Sequence, residues 1–394
     1  TFMINYPFNF EKIRAIFISR ENRFVVKAKI ENKIFDCYLP NPGRLFELLI
    51  PFETELILVK NDASSKIPFT VLACIKKGRF VLLHTHVTNY IVKSLIEEQK
   101  LNFFKGFRVI SQEVKIEGSR FDFLLENNRE RLLLEIKTCT LFGDRVAMFP
   151  DAITERGRRH LIELSELAKR GFKTSVLFVV MNHDVRFFLP AYHIDFAFAK
   201  SFIDVEKLVE FKAITLDWDE GLSFVRSVKG IRIPFPFLKE VVKDRGVYVL
   251  VAQMKESKSI NVGHMVNDYF PSGYYVYVGK ARKGLFKRLA RHRRRIKKMH
   301  WHIDYLLDKA QLIKDFPIVT KEDIECAIGD RLSKICDKMI PHFGSSDCKC
   351  YSHLFYFREN PLYNKDFIEM ITFFRLDFIS TTLTFREVSR DNHD

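Results

Sequence analysis

Glu135 and Lys137 stand two positions apart at the end of the apolar run Leu132-Leu133-Leu134. In a strand these two share one face, while Leu132, Leu134 and Ile136 share the other. The preceding segment, Ser119–Leu125, alternates Phe121, Phe123 and Leu125 with Asp122 on the opposite face. If the turn Asn127–Glu130 sets Glu126 against Arg131, Asp122 comes opposite Glu135 and the apolar faces match. Two carboxylates at that separation suit a hard cation, which takes oxygen ligands and keeps several waters. Lys137 can then orient or deprotonate the attacking water and offset charge on a phosphate. Asp122 and Glu135 as metal ligands, with Lys137 beside them, predict metal-dependent phosphodiester cleavage. The alternative for Glu-x-Lys is a surface ion pair.

A second set lies further along. Gly246-Val247-Tyr248 opens one short strand and Tyr277-Val278-Gly279 closes another. A basic helix follows, with Arg288 and His292 at i and i+4 on one face. Beyond it Glu322, Asp323, Glu325 and Asp330 form an acidic cluster. Phosphoryl transfer needs an activated water, a cation opposite the developing charge and a metal ligand. Tyr, Arg and Glu can supply all three, although tyrosines in strands also serve plain packing.

These sites need elements to hold them. Five short apolar segments in the first 85 residues (Arg23–Ile30, Lys33–Leu39, Thr54–Lys60, Phe69–Ile75, Arg79–His84) predict a small barrel of the oligonucleotide-binding (OB) kind. The loop Pro40-Asn41-Pro42-Gly43-Arg44 is rigid and offers Arg44 to a nucleic acid. From residue 86 the pattern turns to α/β: a helix over Thr88–Gln99, the hairpin carrying the acids, a long helix over Thr154–Arg170, and strands Thr174–Met181 and Val185–Leu189. Residues 227–237, with two prolines, read as a linker. The domains expected are 1–85, 86–230 and 238–360, with a Phe-rich tail, 361–394, packing back on the core.

The chain of 394 residues carries 64 Lys+Arg against 49 Asp+Glu, a net charge of +15. Such an excess points to a polyanion. Ten of the basic residues and no acid fall within 281–300, which predicts a phosphate-backbone surface including Arg291, His292, Arg293, Arg294 and Arg295. DNA is the expected partner, with RNA as the alternative polyanion; no membrane is expected, and a dimer is left open. Composition excludes a disordered or collagen-like chain. No apolar run reaches membrane-helix length, no signal pattern is expected, and an odd count of seven cysteines predicts a reduced, cytoplasmic setting.

Residues 23–220 resemble the sugar fermentation stimulation protein A (SfsA) family. The likeness rests on Pro40-Asn41-Pro42-Gly43-Arg44, Ser119-Arg120-Phe121-Asp122-Phe123, Glu135-Ile136-Lys137, Phe149-Pro150-Asp151-Ala152-Ile153-Thr154-Glu155-Arg156-Gly157 and His160-Leu161. It implies an OB-like barrel joined to a PD-(D/E)XK nuclease-like domain, with DNA binding, and sets Asp122, Glu135 and Lys137 on the nuclease triad. Thr154, Glu155, Arg156 and His160 then stand at a helix start where amides favour phosphate; capping alone is the other reading of Thr154. Residues 240–358 resemble the GIY-YIG nucleases, with Lys280-Ala281 continuing the second half of the motif. That likeness implies a water-activating Tyr248, a supporting Tyr277, a phosphate-stabilising Arg288 and a metal ligand at Glu325, with Glu322 as the near alternative. Lys280 joins the basic surface.

The expected whole is an α+β multidomain protein and a Mg²⁺- or Mn²⁺-dependent endodeoxyribonuclease. The alternative is a non-catalytic DNA-binding transcriptional regulator. Zinc is not expected: Cys348-x-Cys350 with His353, Cys336 and His342 lacks the usual paired spacing.

Overall fold

The structure, a computed structural model, describes residues 11–262, 265–380 and 383. It divides into a unit ending at Leu238 and a second beginning at Lys239.

The first unit opens with six strands: β1 (Lys12–Arg20), β2 (Val25–Ile30), β3 (Lys33–Tyr38), β4 (Glu55–Lys60), β5 (Phe69–Lys76) and β6 (Arg79–Leu82). They run in the order β3-β2-β1-β4-β5-β6, and a parallel pairing of β3 with β5 closes the sheet into a barrel. Ala15, Phe17, Val26, Ala28, Leu56, Leu58, Val71 and Ala73 are buried within it. Strand β1 is an addition to the five segments expected. Only Ala15 and Phe17 of its nine residues are fully buried, so its pattern reads faintly in sequence.

The rest of this unit is a mixed sheet covered by helices. Its elements are α1 (Thr88–Glu97), β7 (Arg108–Ile116), β8 (Ser119–Glu126), β9 (Arg131–Cys139), β10 (Leu141–Phe142), β11 (Val146–Phe149), α2 (Glu155–Lys169), β12 (Lys173–Val180), β13 (Phe187–Pro190), α3 (Phe196–Asp204), β14 (Glu210–Trp218) and β15 (Val225–Gly230). The large sheet has the order β15-β14-β12-β9-β8-β7, with β9, β12 and β14 parallel. A parallel strand covered on both faces must be apolar throughout, and Leu132, Leu133 and Leu134 are all buried. Thr154 caps α2, its hydroxyl accepting from Gly157 N at 3.0 Å.

The stretch read as a linker is structured instead. Residues 225–230 form β15, paired with β14, and Phe235 opens α4 (Phe235–Val241) with its ring stacked on Phe202 at 5.3 Å. Pro234 and Pro236 flank the start of that helix, where proline's missing N–H costs nothing.

The second unit is built on a five-stranded antiparallel sheet. Its further elements are β16 (Gly246–Met254), β17 (Lys258–Val262), β18 (Met265–Phe270), β19 (Gly273–Ala281), α5 (Leu285–Arg293), α6 (His302–Lys309), β20 (Gln311–Val319), α7 (Glu325–Ser333), β21 (Lys338–Met339), β22 (Leu354–Phe357) and α8 (Lys365–Thr372). The order is β20-β16-β19-β22-β21, with β17 and β18 as a separate ribbon. The basic stretch 281–300 is helical only as far as Arg293; Arg294 turns to extended backbone. Phe367 of α8 meets Phe316 and Phe357, and Arg331 lies over Phe373 at 3.9 Å. Of the segments expected at the two ends, residues 1–10, 381–382 and 384–394 lie outside the described residues.

Arg20 makes most of the side-chain bonds to the Pro40–Arg44 loop, with Arg23 Nε donating to Pro42 O at 3.1 Å and the Thr85 hydroxyl to Pro40 O at 2.8 Å. Arg20 donates to the carbonyls of Asn41, Gly43 and Arg44, at 3.1, 2.6 and 2.8 Å. Gly43 also leaves no room for a side chain, since a Cβ there would stand 2.2 Å from Asp151 Oδ2. Lysine cannot reproduce a guanidinium fork. Arg20→Lys should therefore lower stability by roughly 1–3 kcal/mol and speed hydrogen exchange at Gly43 and Leu45, leaving Val26 and Ala28 protected. Unchanged exchange at Gly43 would show that the loop is fixed by other contacts.

Candidate functional site

In the first unit the register that brings the acids together is set by the β8–β9 turn. Glu126 pairs with Arg131, Leu125 with Leu132 and Phe123 with Leu134. Asn127 Oδ1 fixes the turn by accepting from Arg129 N and Glu130 N, each at 2.9 Å. At the next position the backbone ladder stops. Asp122 replaces it with its side chain, Oδ2 accepting from Ile136 N at 2.7 Å. Its other oxygen accepts from Asn89 Nδ2 of α1 at 2.8 Å.

Glu135 is 4% exposed. Its Oε1 meets the Lys137 ammonium and, at 2.7 Å, Nδ1 of His160 from α2. Arg156 Nε lies 3.5 Å from the far ring nitrogen of His160. A proton on Nδ1 is donated to Glu135. Burial works to raise the pKa of Glu135, but the His160 hydrogen bond and the Lys137 charge outweigh it and hold it below the ordinary value. Asp122 goes the other way: burial, then the nearby Glu135 charge, push it up. The two carboxyls thus differ in proton affinity, as acids sharing one site do.

Glu135 Oε2 is buried and accepts no hydrogen bond. Leaving a carboxylate oxygen so is costly, and a cation held with Asp122 would answer it. The donor set, two carboxylates and no thiol, fits Mg²⁺ or Mn²⁺. Beside His160 lies a cleft of about 450 Å³, lined by Arg120, Arg156 and Arg159 among others. Arg44 is exposed. Sequence reasoning gave His160 and Asn89 no contact with the acids. His160 had a signal, a histidine on the inner face of α2; Asn89 had none.

The second unit brings Tyr248, Tyr277, Arg288, His292 and Glu325 into one neighbourhood. Tyr248 pairs with Gly279 and Leu250 with Tyr277 across β16 and β19. Gly279 is required here: a Cβ would lie 2.5 Å from the Tyr248 hydroxyl. That hydroxyl stands 3.2 Å from His292 Nε2 of α5. Burial pushes both tyrosine hydroxyls up, and the Arg288 charge pulls against it. Arg288 itself donates to Lys280 O at 2.5 Å and lies over Trp301. Glu325, in the first turn of α7, is 4% exposed, with Lys280 Nζ at 3.0 Å from Oε2; Glu322 is exposed.

Several of the cations expected on a nucleic-acid surface are occupied. Arg291 grips the fully buried Asp304 at 2.9 and 2.7 Å, and Arg293 grips Asp315 at 2.8 and 2.6 Å. Lys280 also faces Asp323 and Asp347. His292 is buried, its Nδ1 3.7 Å from Asp304 Oδ1. Arg294 and Arg295 are exposed, and no ion pair engages them among the described residues. Asp304 organises this group, yet a lone acid after His300-Trp301-His302 gave no sign of it.

The architecture thus far defines a class, an OB-type barrel followed by a mixed α/β layer, with a separate antiparallel unit later in the chain. Residues 18–83 match the family described as the SfsA N-terminal OB domain, and residues 86–221 the sugar fermentation stimulation protein RE domain. Residues 247–375 match a domain of unknown function, DUF123. The sugar fermentation stimulation protein homolog of Methanothermobacter thermautotrophicus is 38% identical over 189 residues, covering 48% of this chain and 79% of that protein. The homolog from Clostridium kluyveri is 34% identical over 215 residues, 54% and 93% of the two chains. A solved structure, Pyrococcus furiosus SfsA in complex with Ca²⁺, is similar with a TM-score of 0.53 and 26% identity, covering 59% of this chain and 99% of that one. The chain belongs to the sugar fermentation stimulation protein family. No described helix is long and apolar enough to cross a membrane.

Burial pulls the His292 pKa down to about 4 from an ordinary 6.5, against the attraction of Asp304. Between those values the unfolded chain takes up a proton that the folded chain refuses, so stability falls as pH drops from about 6.5 to about 4, by up to roughly 3 kcal/mol. With Trp218→Phe, Trp301 is the sole tryptophan and packs on His292 at 5.7 Å. Urea unfolding followed by Trp301 emission should show this loss, and His292→Gln should remove most of it. An equal loss in His292→Gln would assign the acid sensitivity to another group.

Proposed function

We propose that this chain hydrolyses phosphodiester bonds in DNA with a divalent cation, Mg²⁺ or Mn²⁺. The observation that carries the reading is the pair Asp122 and Glu135, met where the β8–β9 ladder ends, with Glu135 Oε2 buried and unpartnered beside Lys137. Asp122 and Glu135 would hold the ion, which when bound lends Lewis acidity to a phosphoryl oxygen. Lys137 keeps Glu135 ionised and sets a positive charge where negative charge grows in the transition state. The His160–Arg156 pair fixes Glu135 from behind and brings a cation to the edge of the arginine-lined cleft. An OB-type barrel in the same unit supports binding of a nucleic-acid strand. Ca²⁺, named with the Pyrococcus furiosus relative, is likewise an oxygen-seeking ion.

The second unit supports a further phosphodiester site. The Tyr248 hydroxyl, donating to a neutral His292, leaves its oxygen lone pairs to align a water, while Arg288 faces the phosphate and Glu325 offers a carboxylate to a cation.

Supercoiled, single-stranded and branched DNA incubated with the full chain in Mg²⁺, Mn²⁺ or EDTA should show metal-dependent cleavage. Asp122→Asn and Glu135→Gln should each remove one activity while DNA affinity stays the same or rises, because each deletes negative charge near phosphate. Arg288→Ala should lower the second activity roughly 10²–10³-fold, and Tyr248→Phe about 10²–10⁴-fold. If Asp122→Asn abolishes all cleavage and Arg288→Ala changes none, the second unit positions DNA without cutting it. If neither Asp122→Asn nor Glu135→Gln alters cleavage in any metal, that centre is vestigial and the reading as a DNA-binding regulator gains.

A further inference from the structure

The loop between β21 and β22 and the first turn of α7 bring three thiols and an imidazole together. Cys326, Cys348, Cys350 and His353 each offer one ligand atom, and these four atoms lie within 4.8 Å of one another. We infer that they form a structural zinc site, and that its histidine also holds Glu325.

The geometry suits the metal. Tetrahedral zinc with Zn–S near 2.3 Å and Zn–N near 2.0–2.1 Å sets its ligand atoms roughly 3.4–3.8 Å apart. Cys348 Sγ and His353 Nε2 are already at 3.4 Å. His353 is fully buried, so its ring is fixed by packing before any ion arrives. Three thiols are soft ligands, which favour zinc over Mg²⁺ or Ca²⁺. Four protein ligands also close the coordination shell, as structural zinc sites do and catalytic ones do not.

The second ring nitrogen supplies an independent sign. His353 Nδ1 is buried without a hydrogen bond, and it faces Glu325 Oε1 at 3.4 Å. Metal-bound histidines characteristically turn the far nitrogen to a carboxylate, which fixes tautomer and ring. Binding through Nε2 places the proton on Nδ1, where a small approach makes the missing hydrogen bond to Glu325. Zinc thereby orders two things at once. It fastens α7 to a loop with no regular structure of its own, and it orients the carboxylate opposite Lys280. The same loop presses Gly344 against the Tyr277 ring and sends Asp347 to Lys280. Cys336 and His342 stay outside: Cys336 Sγ donates to Ser333 O at 3.7 Å, and the His342 ring lies against Tyr351.

This inference stands apart from the hydrolytic reading, because its test measures metal and structure. Full-length protein purified under reducing conditions without chelator should contain about one zinc per chain by elemental mass spectrometry. Exchange with Co²⁺ should give the charge-transfer and ligand-field bands of a tetrahedral thiolate centre. Cys326→Ser and Cys350→Ser should lose the metal, whereas Cys336→Ser should keep it. Should the first two fail to fold, a thiol-capping reagent added to the native chain should release zinc to a colorimetric chelator. Zinc removal should speed hydrogen exchange across residues 343–353 and leave β16 protected. Wild-type protein with no more zinc than the Cys326→Ser variant would overturn the assignment. So would a Cys326–Cys350 disulfide in the freshly purified chain, or stoichiometric iron in place of zinc.

Discussion

A carboxylate taken out of water must be met by donors or cations, and much of this molecule is arranged around four, the buried Glu135, Asp304 and Glu325 and the half-buried Asp122. Asp122 is met by a backbone amide and an asparagine, Glu135 by lysine and histidine, Asp304 by an arginine fork and two amides, Glu325 by a lysine with a histidine near. Each solution draws in a different element. The charge therefore dictates where α1, α2, α5 and α7 must pack, since an acid left without partners would cost several kcal/mol.

The same constraint separates structure from chemistry. Asp304 is saturated: Arg291, His300 N and Trp301 N meet its oxygens, and nothing remains to be offered. Glu135 is not, because one oxygen stays buried and bare. A saturated acid stabilises a loop; an unsaturated one stores an affinity. Burial alone does not distinguish them.

How far the sequence disclosed this depended on distance along the chain. The Asp122–Glu135 juxtaposition was readable because a tight turn and a two-residue period fix the register of adjacent strands. Tyr248 and Tyr277 were readable for a similar reason, each lying in a short, strongly apolar strand. His160, Asn89 and Cys326 were not, since they reach their partners from helices whose docking no local pattern encodes. Cys348 and Cys350 read as an incomplete set because Cys326, the third thiol beside them, lies on α7. The linker read over residues 227–237 does end where the two units divide, but it holds β15 and the start of α4, because one phenylalanine anchors the segment by stacking.

The pairing of Arg291 with Asp304 and of Arg293 with Asp315 has a consequence for how this protein senses ionic strength. A Lys or Arg side chain releases the cations condensed on a polyanion only if it is not already neutralised by an acid of its own chain. Ten basic residues in 281–300 therefore overstate the electrostatic footprint of that stretch. What a strand of nucleic acid would meet there is Arg294 and Arg295 on a short coil together with the exposed Arg282, Lys283, Lys287 and Lys298, while Arg291 fastens the helix to Asp304. The number of ions set free on binding would follow those exposed cations rather than the net charge of the chain.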